Sequence, residues 1–350
     1  MRFLRNAWYC AAWSKEVSRR AFGRTLLNEK VVLFRKEDGT PVALGDVCPH
    51  RFAPMHLGKL HGDILACPYH GLQFGEDGGC RRNPHGPVIP PELRLKSYPL
   101  VERHNIVWIW MGDPEKTDQS LIPDFSCHTD PDYATVEGWI HISGSYQLVA
   151  DNLLDLSHTQ FLHPMLTFND LPEAVREQRL HQNGTMLTTE FNELNNAPSP
   201  LAYVMWEKVP ERLDSLAGIR WQPPANMLLT VRNVSRDPEA PGDIRFLGAE
   251  LITPETYTTC HYFWSNSRDF RQEDAALSEQ LATTTEQVFT NEDGAMIAHV
   301  QNNMGEQTDL IAMRPVVLPT DSAAIRARNI LKKLINAEEV PDQCAPKSPV

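Results

Sequence analysis

Two short segments of the 350-residue chain hold residues able to bind a redox-active metal centre. Cys48-Pro49-His50 and Cys67-Pro68-Tyr69-His70 each offer one thiolate and one imidazole, with 16 residues between them. A Rieske [2Fe–2S] cluster requires this donor set: two cysteines hold one iron, and two histidines replace cysteine on the other and raise its potential. Zinc also accepts two cysteines and two histidines. Its usual order pairs cysteine with cysteine and histidine with histidine, so the mixed loops fit the cluster better. Cys10, Cys80, Cys127, Cys260 and Cys344 have no partner at ligand spacing and read as buried thiols.

A second constellation lies in Asp151-Asn152-Leu153-Leu154-Asp155-Leu156-Ser157-His158-Thr159-Gln160-Phe161-Leu162-His163. At about 100° per residue, Asp151, Asp155 and His158 share one helical face, whereas His163 falls about 140° from His158. Both imidazoles reach one ion only if the helix ends or distorts between them, and Pro164 disfavours helical backbone at His163. Two histidines, one carboxylate and open positions make the facial triad of oxygen-activating Fe(II). The carboxylate must come from elsewhere. Phe289, Asp293, Met296 and Ile297 follow i, i+4, i+7, i+8 spacing, so Asp293 interrupts an apolar stripe, and a buried carboxylate is costly unless paired or metal-bound. Glu286 and Glu292 point more toward the polar side of that helix.

The elements that position these residues divide the chain in two. Segments 31–34 and 41–44 flank Glu37-Asp38-Gly39 as a hairpin, and 64–66, 71–74 and 106–110 read as further short strands between Gly- and Pro-rich turns. This is a small all-β domain over residues 1–115. A polar, turn-rich linker covers 112–124. A larger domain over 125–340 follows, with a helix over 146–161, strands within 185–265, an amphipathic helix over 274–300 and a last helix from the N-cap candidate Asp321 to about 336. The polar tail after Glu338 reads as loosely held.

The net charge of −12 argues against a nucleic-acid partner. Residues 1–103 hold 16 Lys+Arg against 10 Asp+Glu, a net +6, which leaves 17 against 35, or −18, for the rest. Such asymmetry suggests different electrostatic tasks for the two halves. The longest apolar run, 106–111, is far too short for a membrane span. An odd number of cysteines without framework spacing, and no apolar signal core at the N-terminus, favour a reducing, cytoplasmic setting. No G-x-G-x-x-G marks a flavin or nicotinamide site, yet oxygen activation needs electrons, so a separate donor must supply them. Iron–sulfur donors are often acidic, which suits docking on the basic half.

With Asn6-Ala7-Trp8-Tyr9, Cys48-Pro49-His50-Arg51, Cys67-Pro68-Tyr69-His70-Gly71-Leu72, Val107-Trp108-Ile109-Trp110-Met111-Gly112 and Asp151-Asn152-Leu153-Leu154-Asp155, the chain resembles the Rieske non-haem iron oxygenases along nearly its whole length. The branch is that of vanillate O-demethylase, dicamba monooxygenase and toluenesulfonate methyl-monooxygenase. The resemblance implies an α+β protein: an N-terminal all-β Rieske domain, then a C-terminal helix-grip domain whose antiparallel sheet is flanked by helices, assembled as a head-to-tail homotrimer. It implies mononuclear iron on His158, His163 and Asp293. It makes Asn152 a residue close to that iron, and Asp155 the carboxylate between the iron site and a neighbour's Rieske histidine. Asp155 is then expected to accept from the His158 N–H. It further implies a reductase or ferredoxin donor drawing on NAD(P)H, and O-demethylation or methyl hydroxylation of a small aromatic-acid-type substrate with O2. A ring-dihydroxylating dioxygenase is the competing enzyme, and a Rieske electron carrier with a ligand-binding domain the competing non-enzyme. His261, Arg220, Trp221 and Asn226 are candidate pocket residues.

Overall fold

In the computed structural model the described residues are 2–167, 171–237, 239 and 242–338. Cys344 and the tail from 339 lie outside them.

The hairpin forms as the alternation predicts: Glu29–Arg35 pairs antiparallel with Pro41–Gly45, and Gly39 takes φ +88° in the turn. Phe22–Leu26 and Ser97–Tyr98 complete that four-stranded sheet. A second four-stranded sheet, Lys59–His61, Ile64–Ala66, Gln73–Phe74 and Cys80–Arg82, carries the second cysteine loop. Val32, Phe34, Leu44, Met55, Leu65 and Phe74 fill the space between, and Cys48 and Cys67 belong to the same core.

A third sheet joins the two halves. Trp8–Trp13, Ile106–Trp110 and Leu100–Arg103 form it, and every residue of the first two strands is buried. The apolar run at 106–111 is thereby explained: its strand is covered on both faces. Trp8, Trp108 and Trp110 pack with Ala249, Leu251 and Phe263 of the larger domain. Asn226 Nδ2 donates to Trp8 O (3.1 Å) and Thr253 Oγ1 to Cys10 O (2.7 Å) across the contact.

The larger domain is a seven-stranded antiparallel sheet. Its order is Ala134–Ile142, Cys260–Arg268, Ile244–Pro254, Asn226–Ser235, Leu213–Gln222, Met186–Asn196 and Val175–Asn183. Helices Tyr146–Leu154, Gly294–Met304 and Ser322–Ala337 bring Leu153, Leu154, Ile297, Ala327 and Leu331 into one core with Ile140, Leu187, Ile219 and Tyr262 of the sheet. The expected α+β architecture is present.

Three helical expectations need correction. The helix expected over 146–161 stops at Leu154. Asp155 then takes extended dihedrals (φ −126°, ψ 90°), a 3-10 turn spans Leu156–His158, and a short helix Thr159–Leu162 ends at His163. The helix expected over 274–300 is two helices, Ala275–Val288 and Gly294–Met304, joined by a π turn at Phe289–Asp293. Asp274 caps the first, accepting from Leu277 N at 2.9 Å. Asp321 precedes the last helix, but its carboxylate accepts from Leu318 N (2.6 Å) behind it rather than from the helix it begins.

Candidate active site

The two cysteine loops are built alike. Phe52 N donates to Cys48 O (2.9 Å), and Gly71 N to Cys67 O (3.1 Å). The turn falls four residues after each cysteine, at positive φ: Phe52 at +58° and Gly71 at +72°. Left-handed backbone costs a non-glycine residue about 1–2 kcal/mol, so Phe52 marks strain of the kind held at functional sites. The loops bury Cys48 and Cys67 and leave His50 exposed and His70 half-buried, their ring centroids 4.6 Å apart. Burial pushes the Cys48 thiol up to about 11, with its neighbour Cys67 adding to the rise. A cationic metal reverses that balance, since thiolates are its ligands. The donor set fits a cluster with one iron inside the loops and the other facing the surface.

The second site forms where the broken helix meets the π turn. One ligand atom each from His158, His163 and Asp293 lies within 4.8 Å of the others. His163 Nε2 stands 3.2 Å from His158 Nε2 and 3.3 Å from Asp293 Oδ1, and His158 Nε2 is 3.5 Å from Asp293 Oδ1. Burial acts to raise the Asp293 pKa, but hydrogen bonds from His158, His163 and Asn152 outweigh it and bring it to about 2. The site therefore presents a carboxylate and two imidazoles on one side of a point, as a facial triad requires.

The surrounding groups hold these three in place. Asn152 Nδ2 donates to Asp293 Oδ1 (2.9 Å). Glu292 Oε2 lies 2.7 Å from His163 Nδ1, fixing Nε2 as the inward nitrogen. The π turn makes this possible: π-bulges concentrate at functional sites, and the extra residue lets adjacent carboxylates serve one centre. Glu292, expected on the polar side, is the functional residue that helical phase hid.

Asp155 sits beside the site in a different role from the one expected within the chain. His158 Nδ1 meets the Asp155 carbonyl oxygen (2.5 Å), not its carboxylate, which accepts from Ser157 N (2.9 Å). The helix ends one residue earlier, so the side chain caps the next turn. Asp151, expected on the same face as His158, instead pairs with Arg328 of the last helix, whose Nε lies 2.9 Å from both carboxylate oxygens.

A cavity of about 150 Å³ opens beside the three ligands. Its walls are mostly apolar, with Leu156, Met205, Ile219, Leu229, Phe246 and Phe289 among them, and Glu250, Asn266 and Arg268 add polar groups. None of His261, Arg220, Trp221 or Asn226 lines it. His261 Nε2 bonds Thr25 O (2.8 Å), Arg220 Nη2 bonds Asp124 O (3.4 Å), Asn226 bonds Trp8 O, and Trp221 is in the core. Strand parity accounts for His261: side chains alternate faces, and Asn266 and Arg268 of the same strand take the cavity side. Glu250 and Arg268 escaped the sequence reading, although Ala249-Glu250-Leu251-Ile252 carries the signal of an acid inside an apolar run.

Comparison with known proteins shows the family. Residues 7–99 match the Rieske [2Fe-2S] domain, and residues 142–337 the vanillate O-demethylase oxygenase C-terminal domain. The chain is 36% identical to the oxygenase component of dicamba O-demethylase from Stenotrophomonas maltophilia, covering 97% of this chain and 99% of the relative. It is 38% identical to the oxygenase component of chloroacetanilide N-alkylformylase from Rhizorhabdus wittichii, covering 97% of each. The structure of dicamba monooxygenase with non-heme iron and dicamba superposes with a TM-score of 0.82 at 34% identity, over 97% of this chain and 99% of that one. With its Rieske loops, its triad and these full-length likenesses, the chain belongs to the Rieske non-haem iron oxygenases, in the vanillate O-demethylase branch, as an oxygenase component.

Proposed function

We propose that this oxygenase inserts one atom of O2 into a methyl or other alkyl group on a small aromatic compound, by O-demethylation or methyl hydroxylation. For an aryl methyl ether the balance is one O2, two electrons and two protons, giving the phenol, formaldehyde and water. A reductase or ferredoxin fed by NAD(P)H is the electron source. When bound, the cluster on Cys48, His50, Cys67 and His70 relays single electrons, and Fe(II) on His158, His163 and Asp293 activates dioxygen. Asn152 and Glu292 hold the triad in register, and the apolar cavity orients an aromatic ring while excluding water.

The observation that carries the reading is the triad opening directly onto that cavity. Asp155 is assigned to the path between a neighbour's His50 or His70 and this chain's iron. Exposed apolar side chains support a head-to-tail trimer: Phe52, Leu57 and Tyr69 surround the cluster loops, and Phe161, 85% exposed, stands beside the iron site. None of the six described cysteines is paired in a disulfide, which supports the cytoplasm as the working compartment. The division at about 115–125 follows the chain's passage from the third sheet to the seven-stranded one.

Metal content tests the assignment. The loaded protein should hold three irons per chain. His158→Ala should lose one and keep the Rieske spectrum, and Cys67→Ser should bleach that spectrum. If His158→Ala bleached the cluster, the two-site assignment would fail. Turnover with a reductase should consume NAD(P)H and release formaldehyde from aryl methyl ethers, and labelled dioxygen should leave one atom in the product.

A further inference from the structure

The cavity has a second polar end, away from the iron ligands. Arg268, 1% exposed, lines it from the Cys260–Arg268 strand, and Asn266 lines it from the same face of that strand. The guanidinium is only partly used. Nη2 donates to Arg271 O (2.9 Å), Asp274 O (3.0 Å) and Ser278 Oγ (2.8 Å), which fixes the head of the side chain against the start of the Ala275–Val288 helix. Nε and Nη1 are buried, and among the described residues neither has a hydrogen-bond partner. Nε carries one N–H and Nη1 two, so three donors of one buried cation are left without an acceptor. Buried polar groups are as a rule satisfied, and an exception requires a reason.

Among the described residues no carboxylate pairs with this cation. Asp274 is already committed: its Oδ2 accepts from Arg271 Nε at 3.2 Å and its Oδ1 from Leu277 N at 2.9 Å. The acids of the cavity wall lie at the iron end. Strand register pairs Glu250 with Trp264 and Phe246 with Arg268, a separation of four residues, or about 13 Å. Asp293 belongs to the triad, and Glu292 is engaged with His163. Arginine keeps its charge in proteins, and a charge taken out of water without a partner is costly. An oxyanion entering the cavity would supply the missing acceptors. Between the guanidinium and the triad the wall is apolar, with Phe246, Leu281, Val288 and Phe289.

We propose that Arg268 is a specificity-determining residue of the cavity: it binds the carboxylate or sulfonate of an aromatic acid whose anionic group lies at the opposite end of the molecule from the alkyl group that reacts. This rests on the oxygenase reading above and narrows its substrate class. The apolar stretch holds the ring, and the distance along the sheet sets the geometry. An acid with its carboxylate ortho to the alkyl group would leave Arg268 unpaired and put a second charge among the acids of the iron end. An acid with its carboxylate para, or on a short chain beyond the ring, points it at the guanidinium. Hydrogen bonds between charged partners are roughly twice as strong as neutral ones, so a carboxamide of the same shape binds less tightly.

The test uses holoenzyme with a reductase and aryl methyl ethers whose acid group is ortho, para, or para beyond a short carbon spacer. Each compound is supplied as the carboxylate and as the carboxamide of the same skeleton. Binding is followed by anaerobic calorimetry and turnover by product. In the para or the spaced series the carboxylate should bind at least about tenfold tighter than its carboxamide, and in the ortho series the two should bind alike. Arg268→Gln should bring the favoured pair together by raising Kd and KM for the carboxylate about tenfold, with a smaller change in kcat. A purely structural role for Arg268 would weaken both members and leave their ratio unchanged. The Rieske spectrum and iron count serve as the folding control. If Arg268→Gln does not load iron, Arg268→Lys decides: it keeps the charge on fewer donors, and its ratio should fall below that of wild type. Carboxylates no tighter than carboxamides in wild type, or an unchanged ratio in the variant that folds, overturns the assignment of Arg268 and leaves the oxygenase reading standing. An equal preference in the ortho series overturns the placement of the anion opposite the reacting group. A carboxylate preference in binding with no product from any compound overturns the monooxygenase reading and leaves the anion site standing.

Discussion

Replacing Glu292 by alanine should weaken the mononuclear iron site and spare the cluster. The His163 ring is 3% exposed, and its Nδ1 lies 2.7 Å from Glu292 Oε2. Removing the carboxylate leaves a buried N–H without a partner and frees the ring to rotate. A hydrogen bond to a charged group contributes roughly 1.5–3 kcal/mol, and the 30% exposure of Glu292 puts this one near the lower end. About 1.4 kcal/mol is a factor of ten in a binding constant, within the roughly 10–100-fold range for loss of a residue that orients a metal-bound histidine. Glu292→Gln keeps an acceptor of the same shape without the charge, so its loss should be smaller. The assay is a chelator titration of the loaded protein, counting iron per chain while the Rieske absorbance reports the cluster. Expected is release of one iron at about tenfold less chelator for Glu292→Ala, with the absorbance unchanged. An alanine variant that held its third iron as tightly as wild type would mean that the Glu292–His163 contact does not support the site.

Other perturbations probe the electron path and the pocket. Asp155→Asn should keep three irons and reduction of the cluster by the reductase while product formation collapses; loss of the mononuclear iron instead would make Asp155 a ligand and displace Asp293. Reductase-driven turnover should fall as salt rises, because exposed charges are largely screened beyond roughly 10 Å at 0.1 M salt. Arg82, exposed and without an ion pair among the described residues, should matter more than Arg81, which is paired with Asp77 at 2.7 Å. A rate flat in ionic strength, and unchanged in the double alanine variant, would remove electrostatic docking. In the iron-free protein, Glu250→Gln should stabilise the fold increasingly as pH rises from about 4.5 to about 8. Burial holds the wild-type group protonated up to about 8 in the folded state, whereas the unfolded chain releases that proton near the ordinary carboxylate value. Wild type therefore loses stability across that window. Melting temperatures of the two proteins that stay parallel from pH 5 to pH 9 would show that the carboxyl is not buried and neutral.

How much of this was legible in the sequence depended on how locally each feature is encoded. The cluster ligands sit in two short loops whose residue types already match the donor set, so no fold was needed to find them. His158 and His163 were legible for a related reason: only a broken helix lets five-residue spacing converge, and Pro164 announced a break. The break came earlier than its signal, at Leu154, where Asp155 takes extended dihedrals and its side chain caps a new 3-10 turn. That shift turned the Asp155 carboxylate from a partner of His158 into a cap on Ser157.

Asp293 and Glu292 show where periodicity misleads. Helical phase separates adjacent residues by about 100°, so it placed one on the apolar stripe and sent the other to solvent. The π turn adds a residue to that stretch and brings both to the same centre, one to the ligand position and the other to His163 Nδ1. The pocket residues were hidden by a different ambiguity. A strand buried on both faces has no polar side to fix its parity, so nothing along residues 244–268 says which alternate set meets the helices. Among those residues an acid between alanine and leucine is the exception that sequence can see. Its burial is costly unless the carboxyl is neutral and hydrogen-bonded, so Glu250 demands a role as soon as the strand is known to be covered. An expensive side chain in an apolar setting marks function, and on a helix that rule identified Asp293. On a strand it singles out Glu250, whose apolar neighbours Ala249 and Leu251 leave the carboxyl no solvent to turn to.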